Sequence, residues 1–138
     1  MREIIFRGKS LFNYEWVQGN LIKIDKGYLI DHSLDTETNI VTDSKYALAF
    51  LPDGISPVST NTIGQYTGLK DKNGKMIFEG DLFKIGAEKE TFEVVYESGC
   101  FLAYCNGKQY GLLGELMICF VEIIGNIHDN PELITNPK

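Results

Sequence analysis

Turn signals recur through this chain about every ten residues, with a short apolar or alternating run between each pair and no long helical period. That spacing leaves no room for packed helices and predicts an all-β architecture, a barrel or meander of short strands. Asp71-Lys72-Asn73-Gly74 is a compact turn, because Asp and Asn bond their own backbone and Gly supplies positive φ. Glu79-Gly80-Asp81 reads as a second reversal, Ser98-Gly99 as a hairpin turn, and Asn106-Gly107 as the commonest short-hairpin dipeptide.

The runs between these turns supply the strands. Glu3 to Arg7 is a short strand halted by Gly8, and Tyr14 to Ile22 alternates with a bend or bulge at Gly19-Asn20. Tyr28-Leu29-Ile30 follows Gly27 as another strand. The polar stretch Asp31 to Asp43 reads as a loop with a brief strand at Ile40-Val41, and Tyr46 to Leu51 as a strand or single helical turn. Ile55 to Asn61, broken by Pro57, reads as a connector between two halves. Beyond it, strands are expected within 62–70, 76–78, 82–85 and 91–97, and Cys100–Cys105 pairs back across Ser98-Gly99. Leu112 to Ile118 suits a short helical turn and Phe120 to Ile127 a last strand.

Composition narrows the function classes. A net charge of −6 argues against a broad phosphate-binding face, which needs clustered Lys and Arg. Arg2, Glu3 and Arg7 interrupt the first apolar runs, and no span approaches the ~20 apolar residues of a membrane helix. The expectation is a cytoplasmic protein with reduced cysteines: Cys100, Cys105 and Cys119 show no metal-site spacing and behave as small hydrophobes.

Candidate chemistry is sparse. If Asp71, Asn73 and Gly74 filled the third, fifth and sixth positions of a calcium loop, Leu69 and Gly80 would take the first and twelfth, and neither has a liganding side chain. Gly64, Gly68 and Lys70 lack phosphate-loop spacing. Glu79 and Asp81 are a carboxylate pair with no companion His or Lys motif, and His32 and His128 bear no motif relation to a cysteine. No catalytic residue, cofactor or metal is expected. The candidate interaction surface is Trp16, Tyr66, Lys70, Lys72, Glu79 and Asp81, of the kind that line binding grooves in small barrels, although alternation puts most strand aromatics in the core and the two carboxylates equally suit stabilising their turn.

Thr62 to Lys75, followed by Ile77-Phe78-Glu79-Gly80-Asp81, resembles the core motif of the YopX family of phage and prophage proteins. Phe6-Arg7-Gly8-Lys9, Glu15-Trp16-Val17 with Gly19 and Leu21-Ile22, and Ile124-Gly125-Asn126-Ile127 with Asn130-Pro131-Glu132-Leu133 extend the likeness end to end. Gly19-Asn20 stands where an acidic residue is common, which weakens any acid or metal role there. The resemblance implies a small N-terminal β-rich subdomain with its connector over 1–61, an SH3-like barrel over 62–131 and a tail over 132–138. It implies a bacterial host cell and no particular activity. The expected function is a non-enzymatic interaction module with a phage or host protein partner and self-association into a homo-oligomer. The alternative is a nucleic-acid-binding SH3-like module, against which the acidic balance counts.

Overall fold

The computed structural model describes residues 3–33, 53–116 and 118–134. The chain divides into two compact units, Glu3–Gln65 and a second that starts at Tyr66, so the division falls inside a strand rather than before Thr62. Residues 34–52, which hold the expected elements at Ile40-Val41 and Tyr46–Leu51, lie outside the described part.

In the first unit β1 (Phe6–Lys9), β2 (Trp16–Ile24), β3 (Gly27–Asp31) and β4 (Ile55–Val58) form an antiparallel sheet in the order β4-β3-β2-β1. The start of β5 (Gly64–Lys70) adds to β1, with Arg7 opposite Gly64 and Phe6 opposite Gln65. Ile24, Leu29 and Ile55 make the buried cluster, with Ile22 packed on it.

Three expectations change here. Gly8 does not halt β1. It pairs with Val17 inside the strand, and an added Cβ would lie 3.0 Å from the Val58 Cβ. Gly19-Asn20 does not split β2 either. Residues 16–19 pair with β1 and residues 20–24 with β3, so Gly19 is where one ladder gives way to the other. A Cβ at Gly19 would collide with the Asp31 carbonyl oxygen, so this close approach of β3 requires glycine. Finally, the supposed connector at Ile55–Val58 is a fully buried strand, with Pro57 opposite Leu29. Proline is tolerated because β4 is an edge strand, and the Pro57 carbonyl still accepts the Leu11 N–H at 2.8 Å.

The second unit contains the rest of β5 paired with β6 (Met76–Phe78) and a five-stranded antiparallel sheet. Its strands are β7 (Asp81–Ile85), β8 (Phe92–Glu97), β9 (Cys100–Cys105), β10 (Lys108–Leu112) and β11 (Val121–Asn126), in the order β10-β9-β8-β7-β11. Both expected hairpins form. Ser98 and Gly99 have φ of 55° and 82°, and Asn106 and Gly107 have 54° and 76°. Positive φ at both central residues is the mirror-image turn whose twist matches paired strands. The Leu112 to Ile118 stretch carries a 3-10 turn at Leu113–Glu115, and another begins at Ile118.

Ile77, Phe83, Phe92, Val94, Ala103, Leu113 and Val121 make this unit's buried cluster, with Phe83 and Phe92 stacked at 5.4 Å between centroids. A fully buried Val, Leu, Ile or Phe side chain contributes about 1.5–3 kcal/mol, so among the described residues this unit holds the larger share of hydrophobic stabilisation.

The fold is all-β, yet neither antiparallel sheet closes into a barrel. After β10 the 3-10 turns carry the chain to β11, which pairs with β7, so β10 and β11 remain opposite edges of the five-stranded sheet. Glu79-Gly80-Asp81 is likewise not a hairpin. β6 pairs with β5 whereas β7 pairs with β8 and β11, and Gly80 (φ 92°) lets the chain change direction between them.

Candidate functional site

Asp71 sits at the first position of the Asp-Lys-Asn-Gly turn and is only 6% exposed. Its Oδ1 accepts the N–H groups of Asn73 and Lys75, both at 2.9 Å, and its Oδ2 accepts the Ile123 N–H of β11 at 3.0 Å. The Lys72 N–H adds a bond to the Val121 carbonyl at 2.8 Å, and the Lys72 ammonium pairs with Glu122 at 3.3 Å. One carboxylate thus closes the turn and fastens it to the edge of β11. Burial acts to raise the Asp71 pKa, but the N–H groups of Ile123, Lys75 and Asn73 and the Lys75 charge outweigh it and hold the pKa below the ordinary 3.8. Three amide hydrogens occupy this carboxylate, so fastening accounts for the turn's acidic residue.

Asp81 plays a similar part. It is 1% exposed, and its Oδ2 accepts the Phe78 N–H at 2.8 Å, bridging the Glu79-Gly80 step. The Gly80 N–H donates to the Val94 carbonyl, and the Gly80 carbonyl accepts from Ile127. At the turn after β11 the buried Asn126 accepts the N–H groups of His128 and Asp129, both at 2.9 Å. The side chain of Asn130 fills the space a Cβ at Gly125 would need. Asp71, Asp81, Asn126 and Asn130 are therefore turn fasteners.

The six residues of the expected surface do not share one environment. Tyr66 is buried at 6% exposure, its ring 5.6 Å from that of Phe78, and Asp81 is interior. Both leave the list of surface residues, because alternation along β5 turns Tyr66 inward and the Phe78 amide draws Asp81 in. Glu79 is half-buried, and Lys70 and Lys72 are exposed. In the first unit Trp16 is half-buried, with the Arg7 guanidinium 4.6 Å and the Lys9 ammonium 5.6 Å from its ring centroid.

A different feature stands out at the surface of the first unit. Between β1 and β2 the chain presents Leu11, Phe12 and Tyr14 at 51%, 62% and 73% exposure. The segment is internally fastened: Tyr14 N–H donates to the Ser10 carbonyl, Ser10 N–H to Glu15, Phe12 N–H to the Ser10 hydroxyl, and Glu15 N–H to the Asn13 side chain. Tyr14 has φ of 60°, a conformation uncommon for an aromatic residue. The alternating pattern suggested that Tyr14 begins a strand; instead the Asn13 side chain closes a loop and turns the ring outward. Beside the loop lies a cleft of about 360 Å³ lined by Leu11, Ile24, Lys26, Tyr28, Pro57 and Val58. The readable signal was the run of large apolar residues between Ser10 and Asn13, both side-chain turn formers.

The cysteines are unpaired; Cys100 and Cys105 are half-buried and Cys119 is exposed. Burial, then the charges of Glu90 and Glu88, push the Cys105 pKa up, away from the thiolate a nucleophile requires. Among the described residues no three His, Cys, Asp or Glu side chains converge on a metal position, and no helix is long and apolar enough to cross a membrane.

Two β-sheet units with acidic and amide turn fasteners and an outward apolar loop define a class of small all-β protein. A sequence profile described as YopX protein matches residues 5–135, and the chain belongs to the YopX family. Among solved structures it is similar to the crystal structure of protein EF1440 from Enterococcus faecalis. The likeness covers 97% of this chain and 99% of that one at 23% identity, with a TM-score of 0.54, and it shows the fold. No curated protein matches the chain.

Proposed function

We propose that this protein is a non-enzymatic module that acts by contacting another protein, in the cytoplasm of a bacterial cell that carries a phage or prophage. The observation that carries the reading is the Leu11–Tyr14 loop: three large apolar side chains held in water by a fastened backbone. Isolated apolar residues on a surface need no explanation, but adjacent aromatics on an ordered loop supply contact area at low entropic cost. The occupied carboxylates of Asp71 and Asp81 support a non-catalytic reading, as does the raised Cys105 pKa. The second unit's β7–β11 meander suits an SH3-like module in the finer reading of the fold.

Nucleic acid is the second reading, and the basic residues speak against it. Arg7 and Lys9 lie over the Trp16 ring, Lys72 is paired with Glu122, and the net charge is −6. The test is affinity capture of the tagged protein from phage-infected cells, with and without nuclease. A partner of phage or host origin, or a second copy of the chain, is expected to survive nuclease treatment. Recovery of nucleic acid alone would reverse the two readings.

A further inference from the structure

A cavity of about 480 Å³ opens on the second unit. Its walls include Glu93 of β8, Tyr104 directly opposite on β9, Lys89 and Glu90 on the approach to β8, and Leu133 and Ile134 after the last 3-10 turn begins. Phe92 and Val94 face the core at 1% exposure each, so alternation turns Glu93 to the other face of the sheet. There it is half-buried, and among the described residues its carboxylate makes no ion pair or hydrogen bond. Lys89, the basic residue on the wall, forms no ion pair with Glu93 or Glu90; its carbonyl accepts the Lys84 ammonium at 3.2 Å. The Tyr104 hydroxyl donates to Glu97, which leaves Glu93 unengaged from that side.

A half-buried carboxylate beside an aromatic ring and two aliphatic side chains has the chemistry that accepts a long cationic side chain. The aliphatic stem covers apolar surface while the charged head meets the carboxylate. We infer that this cavity receives a lysine or arginine side chain of a partner polypeptide, with its stem along Leu133 and Ile134 and its cation against Glu93. Charge complementarity selects this occupant: among the described residues Glu93 and Glu90 line the cavity against Lys89, on a chain of net charge −6. Burial already holds the half-buried Glu93 carboxyl above its ordinary pKa.

The test is amide chemical-shift titration of the ¹⁵N-labelled full chain with three probes: the N-acetyl methylamides of lysine, arginine and norleucine. Saturable shifts centred on Glu93, Tyr104 and Ile134 are expected with lysine or arginine, and binding at least about tenfold weaker with norleucine, which lacks the charge. Glu93→Gln should lower affinity for the basic probes by about the same factor while leaving the melting temperature unchanged. Equal binding of norleucine, shifts that never saturate, or full affinity in E93Q would each overturn the proposal. The norleucine comparison needs no variant, so the proposal stays falsifiable if E93Q folds poorly.

Discussion

Asp71→Ala should destabilise the protein by about 3–4 kcal/mol in chemical denaturation, a large effect for a residue on a surface turn. The magnitude follows from what the carboxylate holds. Three backbone N–H groups lose their acceptor, and the Ile123 amide, which belongs to β11, is the costliest to leave unmet. Asn73 and Lys75 are exposed and regain water, so their amides contribute less. Asp71→Asn should cost about half as much: its single carbonyl oxygen can serve the turn or Ile123 but not both. A pH dependence accompanies this. Because the folded pKa is lowered, the carboxylate's contribution is fully present above the ordinary value of 3.8 and is lost as pH falls through the folded value. Acid unfolding of D71N should therefore be less steep than that of the wild type between pH 3.8 and the lowered folded value. An Asp71→Ala midpoint within error of wild type would refute the assignment of Asp71 as the fastener.

Gly19→Ala should cost about 3 kcal/mol or more, in the other unit and by a different mechanism. The new methyl meets the Asp31 carbonyl oxygen, which is backbone and cannot swing aside. Relief requires β3 to draw away from β2, loosening the ladder from Asn20–Asp31 to Ile24–Gly27 and the Ile24–Leu29 contact. Gly74 provides the contrast. An added Cβ there meets no atom within 4 Å, so Gly74→Ala carries only the strain of φ 81°, about 1 kcal/mol. Equal denaturation midpoints for the two alanine variants would show that close strand approach at Gly19 is not what requires glycine.

The difference between what the sequence disclosed and what it withheld is one of range. Ser98-Gly99, Asn106-Gly107 and Asp71 to Gly74 act through their own φ angles and nearest amides, so their turns were legible from a few letters. Pro57 concealed a strand, because whether proline is tolerated depends on which edge of β4 meets β3. Gly8 and Gly19 resembled stops and bends, although their role is close approach of residues far away in sequence, Val58 and Asp31. The site was less legible than the fold. Asp81 reads equally as a turn stabiliser or a solvated carboxylate until its bond to Phe78 is seen, and alternation puts most strand aromatics in the core without saying which, so Tyr66 stays a surface candidate until its burial is known. The apolar loop is hidden in the sequence because its Tyr14 continues an alternating pattern that the Asn13 turn breaks.

Within the stretch of strongest family character, 62–83, the residues from Tyr66 onward are on this account framework of the second unit, and the proposed partner loop lies outside it, on Leu11 to Tyr14. Capture from infected cells by the Phe12→Asp, Tyr14→Asp double variant tests that separation most directly. Both side chains are exposed, so the variant should melt within about 2 °C of the wild type, consistent with the small effect of surface substitutions, and should lose the nuclease-resistant partner. Undiminished partner recovery by a variant that melts like the wild type would contradict the account.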